Sequence, residues 1–270
     1  MKFALKSLVA ASAFVMAGVA AAAPLTLSAG GSVTDQGWTV SELTGSGTLS
    51  FSSTLIGALN AGGIAIEQIS PAAVTTVLNK KNKYVSASAA APIQSISGTF
   101  DGSTVTVTGV STLGGAKQIS EFDDFAIKAS GGFLEIKNLR VDLTVMKVYA
   151  DLVGANGVGT HNNTEMWSIS NIVGSTSFAA VEGVTTSVNE LTGLTINANA
   201  FSLFAQALAL TDNVGVPSLQ TVTDFGKITS TISVRATRVA TPAVPEPSTY
   251  ALMGAGLAAI AVLSRRKQRR

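Results

Sequence analysis

Few residues of this chain have the types and spacing that chemistry requires. Its single histidine, His161, lies in the Gly- and Asn-rich segment 154–164, which predicts a surface loop. The chain has no cysteine, one histidine cannot build a zinc site alone, and no Gly-x-Ser-x-Gly turn supplies a nucleophile for it to activate. We interpret His161 as a polar loop residue, with ligand binding as the alternative.

Carboxylates are the next candidates. Glu121, Asp123 and Asp124 offer the oxygen ligands that Ca²⁺ prefers, yet the segment lacks the glycine turn and the distal Glu of a calcium loop. A solvated loop or strand edge is the favoured interpretation, and we expect neither a metal nor a cofactor. Glycosidase chemistry needs an acid and a base at a defined separation in a cleft, and no pair is singled out here. A secreted hydrolase therefore stays as a second alternative.

One alternative to a structural role is a ligand-binding module. It would bind haem or a polysaccharide through Tyr84, Tyr149 or His161, so the exposure of its aromatic side chains matters. Stacking of this kind needs rings that are exposed on one face of the domain. Aromatic residues make up 6% of the chain, and we expect most of them in the core.

Residues 1–22 have the pattern of a secretory signal peptide. Two lysines precede an apolar run, which ends in the small residues Ala20, Ala22 and Ala23. A cut after Ala23 would place Pro24 directly behind it, where the fixed ring fits an extended protease subsite poorly. We expect cleavage after Ala22, with the secretion translocon and a signal peptidase as partners.

Residues 241–270 change from an extended segment to an apolar run and then to a basic end. Pro245 and Pro247 keep the backbone extended around Glu246. The uncharged residues that follow make a helix of roughly 27 Å at 1.5 Å per residue, close to the ~30 Å hydrocarbon core of a membrane. By the positive-inside rule, the basic end stays cytoplasmic. It consists of Arg265, Arg266, Lys267, Arg269 and Arg270.

This tail resembles the PEP-CTERM sorting signal of Gram-negative bacteria. The resemblance lies in Val244 and the triplet Pro245-Glu246-Pro247, a Ser/Thr and aromatic pair, a Gly/Ala/Leu helix and the Arg-rich end. In that family an exosortase, a membrane transpeptidase-like enzyme, recognises the signal, cleaves near the triplet and passes the protein to the outer surface or biofilm matrix. The resemblance implies that Glu246 is part of a substrate and that membrane anchoring is transient. A plain C-terminal anchor is the alternative.

The charge of the chain changes when the two ends are left out. They hold seven of the 18 basic residues and one of the 16 acidic ones, which leaves 11 basic and 15 acidic residues and a net charge of −4. The body therefore lacks the basic field that attracts phosphate backbones, and we expect no nucleic-acid partner. Without cysteines, the core must stabilise the exported body.

Residues 23–240 predict one mainly β domain, an antiparallel β-sandwich or open sheet with one or two short helices. A signal helix precedes this domain and a transmembrane helix follows it. Alternation of polar and apolar residues predicts strands at 46–51, 64–69 and 228–234.

Two hairpins are predicted inside this domain. Asp101-Gly102 between two alternating runs favours a hairpin at 93–110 with a type I′ turn. In the stretch 132–152 the apolar positions shift by one residue, which places a turn at 144–147 between two strands at the centre of the sheet. That stretch is loosely similar to strands of secreted haem-transport-associated domains and of other bodies attached to PEP-CTERM tails, and it has no ligand motif.

Two helices are predicted as well. One follows a serine N-cap at Ser52-Ser53 and ends at Gly62-Gly63, and the other covers 201–210. Phe51-Ser52 and Phe201-Ser202 each open a predicted helix, so a duplicated unit is one interpretation and chance is the other.

The sequence thus favours an exported surface or extracellular-matrix protein with a non-catalytic structural or adhesive β body. We expect transient anchoring in the inner membrane, then transfer to the cell surface or matrix, with an exopolysaccharide as a candidate partner. A haem- or polysaccharide-binding module and a secreted hydrolase remain the alternatives.

Overall fold

The computed structural model describes residues 22–122, 129–240 and 252–257. Asp123 and Asp124 of the predicted carboxylate cluster lie outside the described residues. The body is mainly β, as predicted, and its sheet is not closed.

Within the described part of the body, the chain forms sixteen strands and three short helices. The strands are β1 (Ala23–Ser28), β2 (Ser32–Asp35), β3 (Trp38–Phe51), β4 (Ile64–Ile69), β5 (Ala73–Leu78), β6 (Tyr84–Phe100), β7 (Thr104–Thr112), β8 (Gly115–Phe122), β9 (Ser130–Asp142), β10 (Lys147–Gly154), β11 (Gly159–Ser168), β12 (Asn171–Gly174), β13 (Ser177–Ala179), β14 (Gly183–Thr192), β15 (Thr195–Ile196) and β16 (Gly226–Arg238). The helices are α1 (Ser53–Gly62), α2 (Ala198–Ala207) and α3 (Gly215–Gln220).

The strands make two layers that share β6. One layer has the order β5-β6-β3-β16-β14-β12, and the other has the order β1-β6-β7-β9-β10-β11-β15. In the second layer β8 also pairs with β9, and β4 pairs with β8. Residues 84–92 of β6 pair with β5 and β3, whereas residues 93–100 pair with β1 and β7. All named strand pairs are antiparallel. The fold is therefore a sandwich made from one unclosed antiparallel sheet.

A single apolar core lies between the two layers. Phe100, Met166 and Phe225 are among the fully buried side chains, and Trp167 is 3% exposed. Complete burial of a large apolar side chain stabilises a fold by roughly 1.5–3 kcal/mol, so a core of this kind stabilises the body without disulfides.

The first predicted helix is confirmed down to its caps. The Ser52 hydroxyl accepts a hydrogen bond from the Leu55 N–H at 3.1 Å, and Gly63 closes the helix in the left-handed conformation, with φ of 65°. Strand β4 coincides with the predicted 64–69, and the strands predicted at 46–51 and 228–234 lie inside the longer β3 and β16. The serine cap and the glycine stop were sufficient local signals.

The second predicted helix, 201–210, is present as α2, but its bounds lie three residues earlier in the chain. Helix α2 begins at Ala198 with Asn197 as its cap, so Ser202 lies inside the helix and does not open it. The correspondence between Phe51-Ser52 and Phe201-Ser202 therefore fails. Helix α3 was not predicted, and with it the body has three short helices.

The hairpin at 93–110 is confirmed, but the type I′ turn predicted for it is wrong. Type I′ needs positive φ at both central residues, and Gly102 has it whereas Asp101 does not. The Asp101 carboxylate instead accepts hydrogen bonds from the N–H groups of Ser103 at 2.9 Å and Thr104 at 2.7 Å. These bonds satisfy the turn without a left-handed aspartate.

The turn predicted at 144–147 is confirmed, because β9 and β10 pair across it from Asp142 and Lys147. They are the seventh and eighth strands of the ten-strand path through the sheet, next to its middle pair, β6 and β7.

The prediction of a surface loop at 154–164 is wrong. Residues 155–158 make a tight turn, and His161 lies on β11. This strand was missed because its polar residues, His161 to Asn163, are all exposed and show no alternation.

Candidate functional site

The polar groove is an open depression of about 340 Å³ on the outside of the sandwich, where β6, β7 and β9 lie side by side. Its size falls in the ~300–1,000 Å³ range of sites for small molecules. It is lined by Ser95, Ser97, Thr108, Gly109, Val110, Ser111, Arg140, Val141, Asp142 and Thr144.

Hydroxyl groups make most of the polar lining. Strand β6 supplies Ser95 and Ser97, β7 supplies Thr108 and Ser111, and Thr144 follows the end of β9. The Ser95 and Ser111 hydroxyls are 2.7 Å apart, so these two already form a hydrogen bond across the strands. The bulges in the β6–β7 register bring these serines and threonines onto one surface.

Asp142 gives the groove a negative charge. Its Oδ1 accepts hydrogen bonds from the Thr144 hydroxyl at 2.6 Å and from the Thr144 N–H at 2.9 Å. These bonds, of which the one from the hydroxyl has the larger effect, lower the pKa of Asp142 below its ordinary value. The carboxylate is therefore ionised at neutral pH and can accept hydrogen bonds but not donate them.

Arg140 supplies the positive charge, and a network of polar side chains on β9, β10 and β11 fixes its position. Its Nη2 donates to Asp151 Oδ1, its Nη1 donates to Asp151 Oδ2 at 3.4 Å, and its Nε donates to Asn163 Oδ1 at 2.9 Å. Asp151 also accepts from Asn138 Nδ2 at 3.1 Å and from the Asn163 N–H at 3.0 Å. We call these four residues, Asn138, Arg140, Asp151 and Asn163, the Asp151 network.

The hydrogen bonds of the Asp151 network shift the pKa of Asp151. The hydrogen bond from Arg140, helped by the Asn163 N–H and by Asn138, lowers the pKa of Asp151 to about 2, and partial burial opposes this shift. The bond to the Asn163 N–H also satisfies the backbone at the β11 bulge, where Asn163 has φ of 53°. The network thus combines an ion pair with a hydrogen bond to the backbone of β11.

His161 lies on an exposed part of β11, near Asn163 but outside the groove lining. Its Nε2 is 3.0 Å from the Val158 carbonyl oxygen, which a protonated ring nitrogen can contact as a donor. The structure does not bring His161 together with the two tyrosines named with it. Tyr84 uses its hydroxyl to accept from the Ile66 N–H at 3.1 Å, and Tyr149 is half-buried on β10.

Among the described side chains, the aromatic rings are either buried or half-buried. Phe100, Phe178, Phe204 and Phe225 are buried, as are both tryptophans. The expectation that most aromatic residues lie in the core is confirmed for this part of the chain. The residues that line the polar groove include no aromatic one.

The carboxylates with shifted pKa values have structural partners. Glu165 pairs with Lys147 at 2.7 Å, which lowers the pKa of Glu165, and the bonds to Ser103 and Thr104 lower the pKa of Asp101. The pKa values of Asp142 and Asp151 are lowered as described above. A glycosidase acid needs a raised pKa, and none of these four has one.

A separate interior cavity of about 50 Å³ lies between the two layers. Its wall includes Gly47 and Leu49 of β3, Ala91 of β6, Ala116 and Gln118 of β8, Ile136 and Leu139 of β9, Trp167 of β11, and side chains of α1 and α2. Two of its lining residues each have a buried side-chain atom without a hydrogen-bond partner, Gln118 Oε1 and Trp167 Nε1.

The sorting residues Val244 to Pro247, the basic end from Arg265 to Arg270, and Ala20 lie outside the described residues. Ala22 is exposed and Ala23 begins β1. No helix within the described ranges is long and apolar enough to cross a membrane.

The described body ends close to these sorting residues. The Val239 N–H donates to the Gly37 carbonyl at 2.9 Å, and the Arg238 guanidinium lies 5.0 Å from the centre of the Trp38 ring. The last strand is thereby held to the β2–β3 turn.

The groove and the cavity were not predicted from the sequence. Alternating serines at 95 and 97 were a visible signal of an exposed strand face, but the partners across the groove depend on strand register. Arg140 and Asp151 are eleven residues apart, and their contact follows from the β9–β10 pairing.

Among solved structures, the fold is similar to the heme binding protein HtaB from Corynebacterium glutamicum, with a TM-score of 0.43 and 11% identity. The similarity covers 80% of this chain and 98% of that chain. No curated protein matches the sequence. Residues 243–267 match the family description of the PEP-CTERM protein-sorting motif. The chain therefore carries a PEP-CTERM sorting motif, which implies recognition by an exosortase, export, and a surface or extracellular location.

Proposed function

We propose that this chain is an exosortase substrate whose β body acts at the cell surface or in the extracellular matrix as a non-catalytic adhesive domain. The partner is a polysaccharide that binds in the polar groove. Residues 1–22 are a signal peptide removed after Ala22, and residues 241–270 anchor the precursor in the inner membrane until the Pro245-Glu246-Pro247 triplet is processed.

The chemistry of the polar groove is the observation that carries the adhesive role. Five hydroxyls, one carboxylate and one guanidinium line an open depression, and such groups match the alternating donors and acceptors of a sugar chain. The Asp151 network holds Arg140 in place before binding, which lowers the entropy lost when a ligand is bound. Hydrogen bonding, rather than ring stacking, is the mode of contact.

A pair of matched variants tests the groove. Ser97→Tyr fills the groove from its exposed rim, and Ser86→Tyr places the same ring on an exposed part of the same strand outside the groove lining. We expect exported protein with Ser97→Tyr to lose retention on exopolysaccharide from its own host, whereas Ser86→Tyr is retained like the wild type. Equal retention of both variants and the wild type would remove the groove from the proposal.

Sorting is tested separately at the two ends of the protein. Mass spectrometry of the mature protein from a host with exosortase should show a chain that begins at Ala23 and lacks Arg265 to Arg270. The same chain from a host without exosortase should keep the basic end. If the basic end remains in both hosts, the motif acts as a plain anchor.

Replacement of the triplet by three alanines gives a second test of sorting. The precursor should then accumulate in the inner membrane. Release at the normal rate would reduce the triplet to a linker.

A further inference from the structure

The charged groups in and around the polar groove are not balanced. Arg140 donates to both carboxylate oxygens of Asp151, which lies outside the groove lining, so these two charges compensate each other. Lys147 is the strand partner of Asp142, but its ammonium is 2.7 Å from Glu165 and pairs with that carboxylate instead. Asp142 is therefore the lining charge that has no opposite charge of its own among the described residues.

One oxygen of this carboxylate is free to bind a ligand. Asp142 Oδ1 accepts the hydrogen bonds from the Thr144 hydroxyl, the Thr144 N–H and, at 3.4 Å, the Val145 N–H. Within the described part of the chain, Oδ2 accepts none. The bonds to Oδ1, first among them the one from the Thr144 hydroxyl, lower the pKa of Asp142 without help from a neighbouring cation. The carboxylate is ionised and offers one uncommitted acceptor.

Strand register places an open space next to Asp142. Ser97, Gly109 and Asp142 are direct partners in the register of β6, β7 and β9. A Cβ atom at Gly109 would lie 2.5 Å from Ser97 Oγ, so the missing side chain leaves the floor of the groove open at this point. Two strand spacings of about 4.8 Å separate Ser97 from Asp142, or roughly 10 Å in all. That separation leaves room for one sugar ring between a hydroxyl on one side and a carboxylate on the other.

Hydroxyl groups near Asp142 are uncommitted as well. The Ser97 and Thr108 hydroxyls have no hydrogen-bond partner among the described residues, whereas the Ser95 and Ser111 hydroxyls bond to each other. A free hydroxyl can donate to a sugar hydroxyl or accept from it. This end of the groove thus combines two free hydroxyls with one free carboxylate oxygen.

The uncompensated carboxylate selects among sugar chains. Uronate, sulfate or phosphate groups would lie next to a like charge, which disfavours acidic polysaccharides. The net charge of −4 on the body, from 11 basic and 15 acidic residues, adds to this repulsion. A neutral chain would leave Asp142 without a counter-ion. A protonated amino group has three donors and the opposite charge, so it can pair with Oδ2 and also donate to a neighbouring hydroxyl.

We propose that the polar groove recognises an amino polysaccharide, in which the protonated amino group of a glucosamine-type residue pairs with Asp142 Oδ2. The Ser97 and Thr108 hydroxyls bind hydroxyls of the same sugar residue over Gly109. This inference rests on the proposed adhesive function and names the class of sugar chain that the groove takes.

Two sugar chains of equal length and linkage test the role of charge. Exported protein is titrated by calorimetry with the β-1,4-linked tetramer of glucosamine and with the corresponding tetramer of N-acetylglucosamine. The pH is about 5.5, where the sugar amine is protonated and Asp142 is ionised. We expect the amino tetramer to bind about five- to tenfold more tightly, because acetylation removes the charge. Acetyl-tetralysine, with the same number of amino groups and no sugar, should bind more weakly than the amino tetramer.

Three variants assign the preference to this site. Asp142→Asn keeps an oxygen for the bonds from Thr144 but removes the charge, so the two tetramers should then bind equally. Asp212→Asn makes the same change in net charge at an exposed aspartate outside the groove lining and should leave the preference intact. Gly109→Ala places a methyl group on the floor and should weaken the binding of both tetramers at least about threefold. If Gly109→Ala does not fold, the two aspartate variants decide.

The failures can be told apart. Equal binding of the two tetramers by the wild type, or an amino preference that survives in Asp142→Asn, overturns the amino-sugar inference. Binding of acetyl-tetralysine as tight as that of the amino tetramer overturns it too, since the site would then recognise charge alone. If neither tetramer binds while Ser97→Tyr still abolishes retention on the host exopolysaccharide, only this inference fails. If Ser97→Tyr has no effect on retention either, the proposed function of the groove fails with it.

Discussion

Polar groups are hydrogen-bonded on the outer side of strand β9 and include unpaired atoms on its inner side. On its outer side, Asp151 accepts hydrogen bonds from Arg140, Asn138 and the Asn163 backbone. On its inner side, Gln118 and Trp167 face a cavity with unpaired atoms.

The difference separates stabilising polar groups from costly ones. A carboxylate with several donors contributes to stability, whereas an unpaired buried atom lowers it. The outer network can be understood as part of the fold that also positions Arg140 for the groove. The inner atoms have no such partner, so their burial lowers the stability of the fold.

Loss of Asp151 should produce the largest effect on the outer side. Asp151→Ala removes the acceptor of Arg140, Asn138 and the Asn163 N–H, and we expect it to lower the free energy of unfolding by about 2–3 kcal/mol. Denaturant unfolding of the full chain measures this. Asp212→Ala, at an exposed aspartate, is the control and should change stability by less than about 0.5 kcal/mol. Equal effects of the two variants would mean that the network adds nothing.

The same carboxylate predicts how stability depends on pH. Because its pKa is about 2 in the folded protein, against an ordinary aspartate value of 3.8, it stabilises the fold above pH 3.8, and this contribution is lost as the pH falls towards 2. We expect a loss of about 2 kcal/mol across that interval. Asp151→Asn cannot titrate, so its stability should fall by that much less over the same pH range. Parallel curves for the two proteins would contradict the assignment.

Local sequence signals predicted the parts of the fold that depend on local chemistry. Ser52 and Gly63 bound the first helix, and Asp101-Gly102 marks the turn of a hairpin. The strand that carries His161 could not be found in this way, since an exposed strand edge has no apolar alternation. Its partner, β10, is what makes it a strand.

Neither candidate site could be read from the sequence, because both depend on register between distant strands. Asn163 reaches Asp151 through a bulge in β11, and no local pattern fixes a bulge. The interior cavity is still harder to foresee. It arises where small residues such as Gly47 and Ala91 oppose each other across two strands, and only the pairing shows that they do.

Two buried serines allow a paired and an unpaired hydroxyl to be compared directly. Ser120 donates its hydroxyl to the Leu208 carbonyl at 2.7 Å, while the Ser230 hydroxyl has no partner, and both residues are at most 5% exposed. We expect Ser120→Ala to lower the free energy of unfolding by about 1 kcal/mol and Ser230→Ala to raise it by up to about 1 kcal/mol. Denaturant unfolding gives both values. Opposite signs would support the comparison, and a loss of stability in both variants would show that the Ser230 hydroxyl is already satisfied.

A second arginine–carboxylate pair shows how much of the Asp151 effect comes from the pair itself. Arg235 Nε donates to Glu42 at 2.7 Å, but these side chains are 42% and 59% exposed, whereas that of Asp151 is 19% exposed. An exposed pair competes with water and salt, so Arg235→Gln should cost less than about 0.5 kcal/mol, and that cost should vanish in about 1 M NaCl. The loss in Asp151→Ala should largely persist at the same salt concentration, because its hydrogen bonds to Asn138 and the Asn163 N–H do not depend on a second charge. If salt removes both losses, the Asp151 network is no more than a surface ion pair, and the outer side of β9 has no firmly held Arg140 to offer a ligand.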